Sequence, residues 1–279
     1  MNILTFDIED WYNIDVISGN FDWNKYEVRI YEGVDRILEE LNRRNLKGSF
    51  FCLGWLAENH PDIIRRIHKE GHHIGCHSYQ HQLAYRFDRK AFKQDTEKAK
   101  KLIEDVIGEK INAFRAPAFS ITHNNIWALE ELIELGFDFD CSIFPSQHDY
   151  GGMPDYGTSE PAKINIKNRT IKEFPINIHL IMDKKIVFSG GGYFRFFPYH
   201  IIKKWANEAP YLMTYFHPRD FDTNQPVMKS LPLKRKIKSY IGINNAFVKF
   251  QQLLDDFDFI NIVQAEQLID WGTAKTIYL

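Results

Sequence analysis

Hydrophobic positions along this chain switch repeatedly between a period of two and a period near 3.6, the signatures of strand and helix. Residues 3–8 read as a buried strand ending in acids. Alternation places Asp7 and Glu9 on one side and Phe6 and Ile8 on the other, and Asp10 begins the following turn. Residues 11–32 are irregular and rich in rings (Trp11, Tyr12, Phe21, Trp23, Tyr26, Tyr31), a loop expected to form part of a substrate wall. Val34, Ile37, Leu38 and Leu41 then have helical spacing within 33–45, and 48–53 read as the second strand. A helix over 61–70 opens on Pro61 and closes at Gly71. A short strand at 73–76 delivers His77 to its carboxyl end.

A charged amphipathic helix covers 89–107 and stops at Gly108, and 113–115 form another short strand ended by Pro117. Residues 126–135 are helical up to Gly136. Residues 137–142 alternate like a strand, with Asp138, Asp140 and Ser142 on one face. Residues 145–161 read as a long loop, 171–174 and 186–188 as strands, and 190–195 as the run Gly-Gly-Gly-Tyr-Phe-Arg. A helix over 199–207 leads to an apolar strand at 211–216 with His217-Pro218-Arg219-Asp220 beyond its end. A helix near 246–254, a strand at 257–262 and a helix at 265–271 close the chain. Strands and helices alternate about seven times, which predicts an α/β fold with a parallel sheet closed or nearly closed into a barrel. No internal repeat and no linker divides the sequence, so 1–279 is expected to be one domain.

The polar residues that stand out share one position, just past a predicted strand. Asp7 and Glu9 follow the first, His77 and His81 the third, and Arg115 the fourth. Asp140 and Ser142 follow the fifth, and His217 the penultimate one. In parallel α/β barrels that end of the sheet is the catalytic face, and the spacing predicts one pocket. Two imidazoles four residues apart, with a third ligand and an open position, are an economical way to hold a catalytic metal ion. His72, His73, His123 and His148 have no such context and are expected to be structural or solvated.

Composition adds limits. Hydrophobic residues make up 44% and aromatics 15%, and the rings offer platforms for the apolar faces of sugars. The formal charge is −2, which implies no general attraction to nucleic acid or anionic membrane. The short cluster Lys234-Arg235-Lys236 with Lys238 fits a solvated helix face. Cys52, Cys76 and Cys141 are widely spaced and odd in number, which fits a reducing compartment. No stretch is long and apolar enough for a signal peptide or a transmembrane helix, so the expected location is the cytoplasm. The sequon at Asn168 is then without consequence.

Five segments occur in order: Thr5-Phe6-Asp7; Gly71-His72-His73-Ile74-Gly75-Cys76-His77-Ser78-Tyr79-Gln80-His81; Phe114-Arg115-Ala116-Pro117-Ala118-Phe119-Ser120; Phe139-Asp140-Cys141-Ser142-Ile143-Phe144-Pro145; and Tyr215-Phe216-His217-Pro218. Together they resemble the motifs of the polysaccharide deacetylase family, the NodB-type enzymes of carbohydrate esterase family 4. The likeness spans roughly residues 3–220. It implies a distorted (β/α)7-type barrel and metal-dependent hydrolysis of N-acetyl groups on a sugar or glycan precursor, an N-acetylated saccharide being the expected partner.

Carried across by motif, the resemblance makes His77 and His81 metal ligands, Asp7 the general base, Arg115 its orienting partner and His217 the general acid. Most family members place two adjacent aspartates in the first motif. Here Asp7-Ile8-Glu9-Asp10 stands instead, so the ligand carboxylate is Glu9 or Asp10, with Glu9 favoured by strand alternation. Asp140, Ser142, Tyr193 and Arg195 are the expected substrate-binding residues. The opening Asp-x-Glu-Asp-Trp and the Gly190 to Arg195 run are similar to a branch linked to exopolysaccharide or surface-glycan synthesis. Zinc suits the ligand set, with nickel, cobalt or manganese as alternatives. Allantoinase-like hydrolysis of a non-sugar C–N bond and non-catalytic saccharide binding are the competing readings.

Overall fold

Two short strands rather than one begin the chain: β1 (Asn2–Ile3) and β2 (Thr5–Ile8). They part at Leu4, whose amide turns to the carbonyl of Ile260 while its own carbonyl accepts from Ser49. This computed structural model describes residues 1–13, 21–228 and 231–279. Residues 14–20 of the ring-rich loop lie outside the described residues.

The first half repeats a simple unit. After β2 come helix α1 (Ile30–Arg43), β3 (Ser49–Cys52), α2 (Gly54–Asn59), α3 (Pro61–Lys69) and β4 (His73–Cys76). Then follow α4 (Arg89–Ile107), β5 (Ala113–Phe114), α5 (Trp127–Glu134) and β6 (Phe139–Asp140). The longest helix shows why its sequence forms it. Asp88 caps α4 by accepting from the amide of Ala91, and Gly108 ends it in the left-handed conformation at φ 76°. Its buried side is Phe92, Thr96, Ala99 and Ile103, one face at helical spacing.

Strands β2 to β6 pair parallel, each with its neighbour. Alternation divides their side chains between two cores. Phe6, Phe50 and Phe114 pack toward the helices, whereas Phe51, Ala113 and Phe139 fill the barrel interior with Met213 and Tyr215.

The second half is less regular. Strands β7 (Ala162–Ile166) and β8 (Arg169–Glu173) form an antiparallel hairpin whose β8 pairs parallel with β6. Strands β9 (His179–Ile181) and β10 (Lys184–Ile186) form a separate antiparallel ribbon. Helices α6 (Gly191–Phe196) and α7 (Tyr199–Glu208) lead to β11 (Leu212–Met213), which pairs parallel with β1. Helices α8 (Leu233–Tyr240), α9 (Ile243–Asp256) and α10 (Ile262–Leu268) precede β12 (Thr276–Tyr278), parallel to β7.

The main sheet thus has the order β12-β7-β8-β6-β5-β4-β3-β2. Its closing side is held by single bridges, Phe6 to Phe216, Gly190 to Tyr215 and Ile3 to Ile260. The fold is α/β with a mostly parallel sheet bent into a distorted barrel.

Two expectations change, and one segment without a predicted element gains one. Residues 190–195, only a run in the sequence, lead into helix α6. A Cβ at Gly190 would lie 2.2 Å from the carbonyl oxygen of Tyr215, so glycine permits that strand bridge just before the helix. The strand expected at 257–262 is reduced to one bridge, because α9 ends at Asp256 and α10 begins at Ile262. The hairpin β7–β8 adds antiparallel pairing that alternation alone does not specify. Among the described residues, no helix is long and apolar enough to cross a membrane.

Candidate metal and catalytic centre

Strand register builds this site. Ile8, Cys52, Cys76, Phe114 and Asp140 lie side by side across five strands, so the residues that follow them emerge at one end of the sheet. Among those are Glu9, His77 and Arg115. The loop after β4 returns His81 to the same place. Ser78 and His81 have left-handed backbone, at φ 66° and 57°, a conformation that costs about 1–3 kcal/mol at a non-glycine residue and must be held by its surroundings. It is held: His81 N donates to Ser78 Oγ (3.1 Å) and Tyr79 N to Asp95 Oδ2 (2.9 Å). The amides of Gly54 and Trp55, at the start of α2, bind the carbonyls of Ser78 and Tyr79.

Glu9, His77 and His81 are all buried, and their ligand atoms lie within 4.8 Å of one another. His77 Nδ1 donates to the carbonyl of Arg115 at 2.7 Å, which leaves Nε2 as the lone-pair nitrogen. His81 Nε2 stands 2.6 Å from Glu9 Oε2, yet among the described residues that oxygen has no aligned hydrogen-bond partner. The two atoms converge without an aligned N–H···O bond, as donors aimed at a shared third atom do. Burial by itself would raise the pKa of Glu9, but His81, His217 and His77 together hold it down at about 2. Burial pushes His77 down to about 4. An ionised carboxylate and a neutral imidazole are the ligand forms of both groups. The residues therefore fit a divalent cation, and an N/N/O donor set suits zinc and its neighbours in the transition series.

Asp7 and Arg115 form the floor. Arg115 Nη1 donates to Asp7 Oδ1 at 2.7 Å and reaches Thr5 Oγ1 at 2.8 Å, while Nε donates to the carbonyl of Cys141 at 3.2 Å. The guanidinium, fully buried, lies 4.3 Å over the ring of Phe51. Gly75 makes room for that ring, since a Cβ there would sit 2.7 Å from it. The second oxygen of Asp7 looks toward His217, with Oδ2 3.8 Å from Nε2.

His217 follows the strand segment that runs beside β1 and β2. Asp220, three residues on, accepts from both its backbone amide (2.9 Å) and its Nδ1 (3.0 Å). The other oxygen of Asp220 pairs with Arg195 Nε at 3.1 Å. Arg195 is in turn anchored on the carbonyls of Ser239 (2.7 Å) and Lys238 (3.1 Å) at the end of α8. Burial opposes a charge on His217, but Asp220, Glu9 and Asp7 raise its pKa to about 8. Burial likewise opposes the charge on Asp220, yet Arg195 and His217 hold it at about 2. The imidazole thus carries a proton near neutrality. Its Nε2 faces Asp7 and Glu9, 3.8 Å from each.

The structure does not bring Asp10 into this group. One of its oxygens accepts from the amide of Trp11 (2.7 Å) and the other from those of Arg29 (2.7 Å) and Ile30 (2.9 Å), which fastens the loop to the start of α1. Asp140 and Ser142 are fully buried and cannot reach a substrate. Ser142 Oγ donates to Asp140 Oδ1 (2.5 Å) and accepts from the amide of Ala116 (2.8 Å), supporting the loop that follows Arg115. Arg195 lies below the surface and acts on Asp220, so of the four expected substrate residues only Tyr193 is half-exposed. The rings of the early loop are used on one another. Trp11 and Tyr12 stack edge-on at 5.6 Å, and Trp23 packs against Trp55 at 5.2 Å. Asp220 went unassigned in the sequence, although an acid three residues past a strand-end histidine has capping-box spacing.

Residues 4–137 match the polysaccharide deacetylase family and residues 141–267 match a domain of unknown function, DUF3473. A peptidoglycan-N-acetylglucosamine deacetylase of Bacillus cereus is 32% identical over 117 residues, 39% of this chain and 42% of that protein. The peptidoglycan deacetylase-like protein FGM2 of Gibberella zeae is 32% identical over 119 residues, 42% of this chain and 34% of that one. The match spans less than half the length of either relative. Among solved structures, a Mycobacterium smegmatis protein described as a polysaccharide deacetylase superposes with a TM-score of 0.68 at 18% identity, over 100% of this chain and 92% of its own. A family 4 carbohydrate esterase of Streptomyces lividans in complex with acetate gives 0.50 at 12% identity, over 93% and 90%. A CE4 family pseudoenzyme of Bacillus anthracis gives 0.52 at 13% identity, over 100% and 69%. At such identities these likenesses establish the fold alone.

Residues 4–137 are thus similar to the polysaccharide deacetylase family, and the fold as a whole is that of solved structures of the carbohydrate esterase family 4, NodB-like type. His217, Asp220 and Arg195 lie in the second matched segment, so the centre draws on both.

Proposed function

We propose that this protein is a metal-dependent hydrolase that removes N-acetyl groups from a saccharide, with Glu9, His77 and His81 as the metal ligands and zinc as the metal. The observation that carries the reading is the convergence of this buried triad with Asp7 on one side and a protonated His217 on the other. A divalent cation held there supplies Lewis-acid polarisation of the amide carbonyl and a water acidified to a pKa of roughly 7.

This chain's own residues supply the proton transfers. Asp7, fixed by Arg115 through Oδ1, keeps Oδ2 free to take a proton from the attacking water. The water oxygen bonds to the acetyl carbon. As the C–N bond breaks, His217 Nε2 gives its proton to the departing nitrogen, so amine and acetate leave and both groups reset by exchange with solvent. Asp220 holds His217 by Nδ1 and so leaves Nε2 as the donating atom. Each positioned transfer is typically worth about 10²–10⁴-fold in rate.

Both matched segments contribute side chains, which supports reading 1–279 as one catalytic unit. The Gly190 to Arg195 run, used here to brace Asp220, supports the exopolysaccharide-associated branch, and the half-exposed Tyr193 is the residue assigned to the saccharide. Metal analysis and acetate release from N-acetylglucosamine oligomers test the reading together. About one transition metal per chain, lost with activity in His81→Ala, is expected. Acetate release that survives both chelator and His81→Ala would overturn it.

A further inference from the structure

Between Asp222 and Asp255 the sequence contains no acid and six basic residues, Lys229, Lys234, Arg235, Lys236, Lys238 and Lys249, in a chain whose formal charge is −2. Asp149 pairs with Lys238, Arg235 lies over the ring of Tyr150, and Lys249 is held by the carbonyls of Phe194, Arg195 and Phe197, which leaves Lys236 as the remaining cation among the described side chains of α8. The same stretch exposes aliphatic side chains that a folded chain normally covers. Leu233 and Ile237, one turn apart on α8, are 74% and 51% exposed, and Val227 and Val248 on the flanking elements are 59% and 54% exposed.

These elements are tied together. The Tyr240 hydroxyl donates to the carbonyl of Pro226 and accepts from the amide of Met228 (2.9 and 3.0 Å), and Arg195 pins the carbonyls of Lys238 and Ser239. Helix α6, which α8 adjoins, begins beside the catalytic centre: a Cβ at Gly191 would lie 3.7 Å from His217 Cε1.

We infer that this face, centred on α8, docks on an anionic lipid bilayer surface. A helix with Lys and Arg interleaved with exposed aliphatic residues lies in the plane of the headgroups, its apolar side chains reaching the acyl boundary and its cations meeting lipid phosphates. An acidic polysaccharide would account for the charge. It would not account for four exposed aliphatic side chains, since sugars pack on aromatic faces and have no use for Leu or Ile. Charge and apolar exposure coincide on one helix, which is what sets the inference against the expectation of a solvated helix face. The inference stands apart from the deacetylase reading. If both hold, the saccharide is one presented at a lipid surface.

Flotation of the full chain with vesicles tests it, and the readout needs no activity. Vesicles of phosphatidylcholine with about thirty per cent phosphatidylglycerol should retain the protein at low salt, and Lys236→Gln should weaken retention about fivefold. Leu233→Ser/Ile237→Ser should weaken it by about tenfold or more, with unchanged thermal unfolding because both side chains are exposed. Pure phosphatidylcholine should retain little. No retention on anionic vesicles would overturn the inference. So would retention that the Leu233→Ser/Ile237→Ser pair leaves intact, or equal binding to soluble polygalacturonate, which would make the face a polyanion site.

Discussion

Strand β4 has a pair of histidines at each end, and the two pairs have different fates. At its amino-terminal end, His72 Nδ1 accepts from the amide of Gly48 at 3.2 Å. His73 stands between Ser49 Oγ (2.9 Å) and Asn112 Oδ1 (3.3 Å). These partners are neutral, and burial pushes both rings down to about 4. At its carboxyl-terminal end, His77 and His81 are buried too, but they meet Glu9 and stand near Asp7 and His217. Burial alone therefore does not mark a functional histidine. What distinguishes the second pair is a set of charges that the sheet's register delivers to one end, where left-handed backbone at Ser78 and His81 is held in place.

The comparison breaks most visibly at Asp7. Asp7→Asn should lower acetate release by about 10²–10⁴-fold, measured as kcat/KM, while metal content persists. No substitution at His72 or His73 should do this. Next, Asp220→Asn should lower kcat by about 10–100-fold with KM little changed, because a misdirected His217 loses its aim without loss of substrate contact. Asp10→Ala should leave one metal per chain and cost about 2 kcal/mol in chemical unfolding, since three amides, two of them buried, lose their acceptor. Loss of the metal in that variant would return Asp10 to the ligand set.

The last effect is confined to the acid range and belongs to the other end of β4. His72 and His73 have folded pKa values near 4 against 6.5 in the unfolded chain. Between those values the unfolded chain binds protons that the folded chain refuses. Stability is then complete above pH 6.5 and falls as pH drops toward 4, by up to about 1.4 kcal/mol per pH unit for each ring. Urea unfolding at several pH values should show a slope reduced by one such contribution in His72→Gln. An unchanged slope would mean that the ring is charged in the folded protein.

Much of the first half was legible because local patterns there report local facts. Helix α4 runs over the residues its apolar spacing and its glycine stop indicate, and β4 ends where His77 begins. The second half was less legible. Strand β11 is two residues long and its neighbours are held by single bridges, too short for a period to register. Polar residues were harder still. Asp140 alternates toward the same side as Ser142, as expected, yet Glu173 lies beside it. Burial and that second carboxyl push Glu173 well up, so the pair is part of the core.

The sequence by itself determined the alternation of strands and helices, the strand ends at which acids and histidines gather, and the order of the five motif segments. Those depend on periodicity and on residue type, which are properties of short windows. Only the tertiary structure decided that Glu9 joins His77 and His81 while Asp10 caps a loop. The same holds for Arg115, which binds an aspartate 108 positions away, and for Arg195, which braces His217 through Asp220. Whether a carboxylate meets a backbone amide, a guanidinium or two imidazoles depends on which distant strand lies beside it, and that is set by register and packing across the whole sheet.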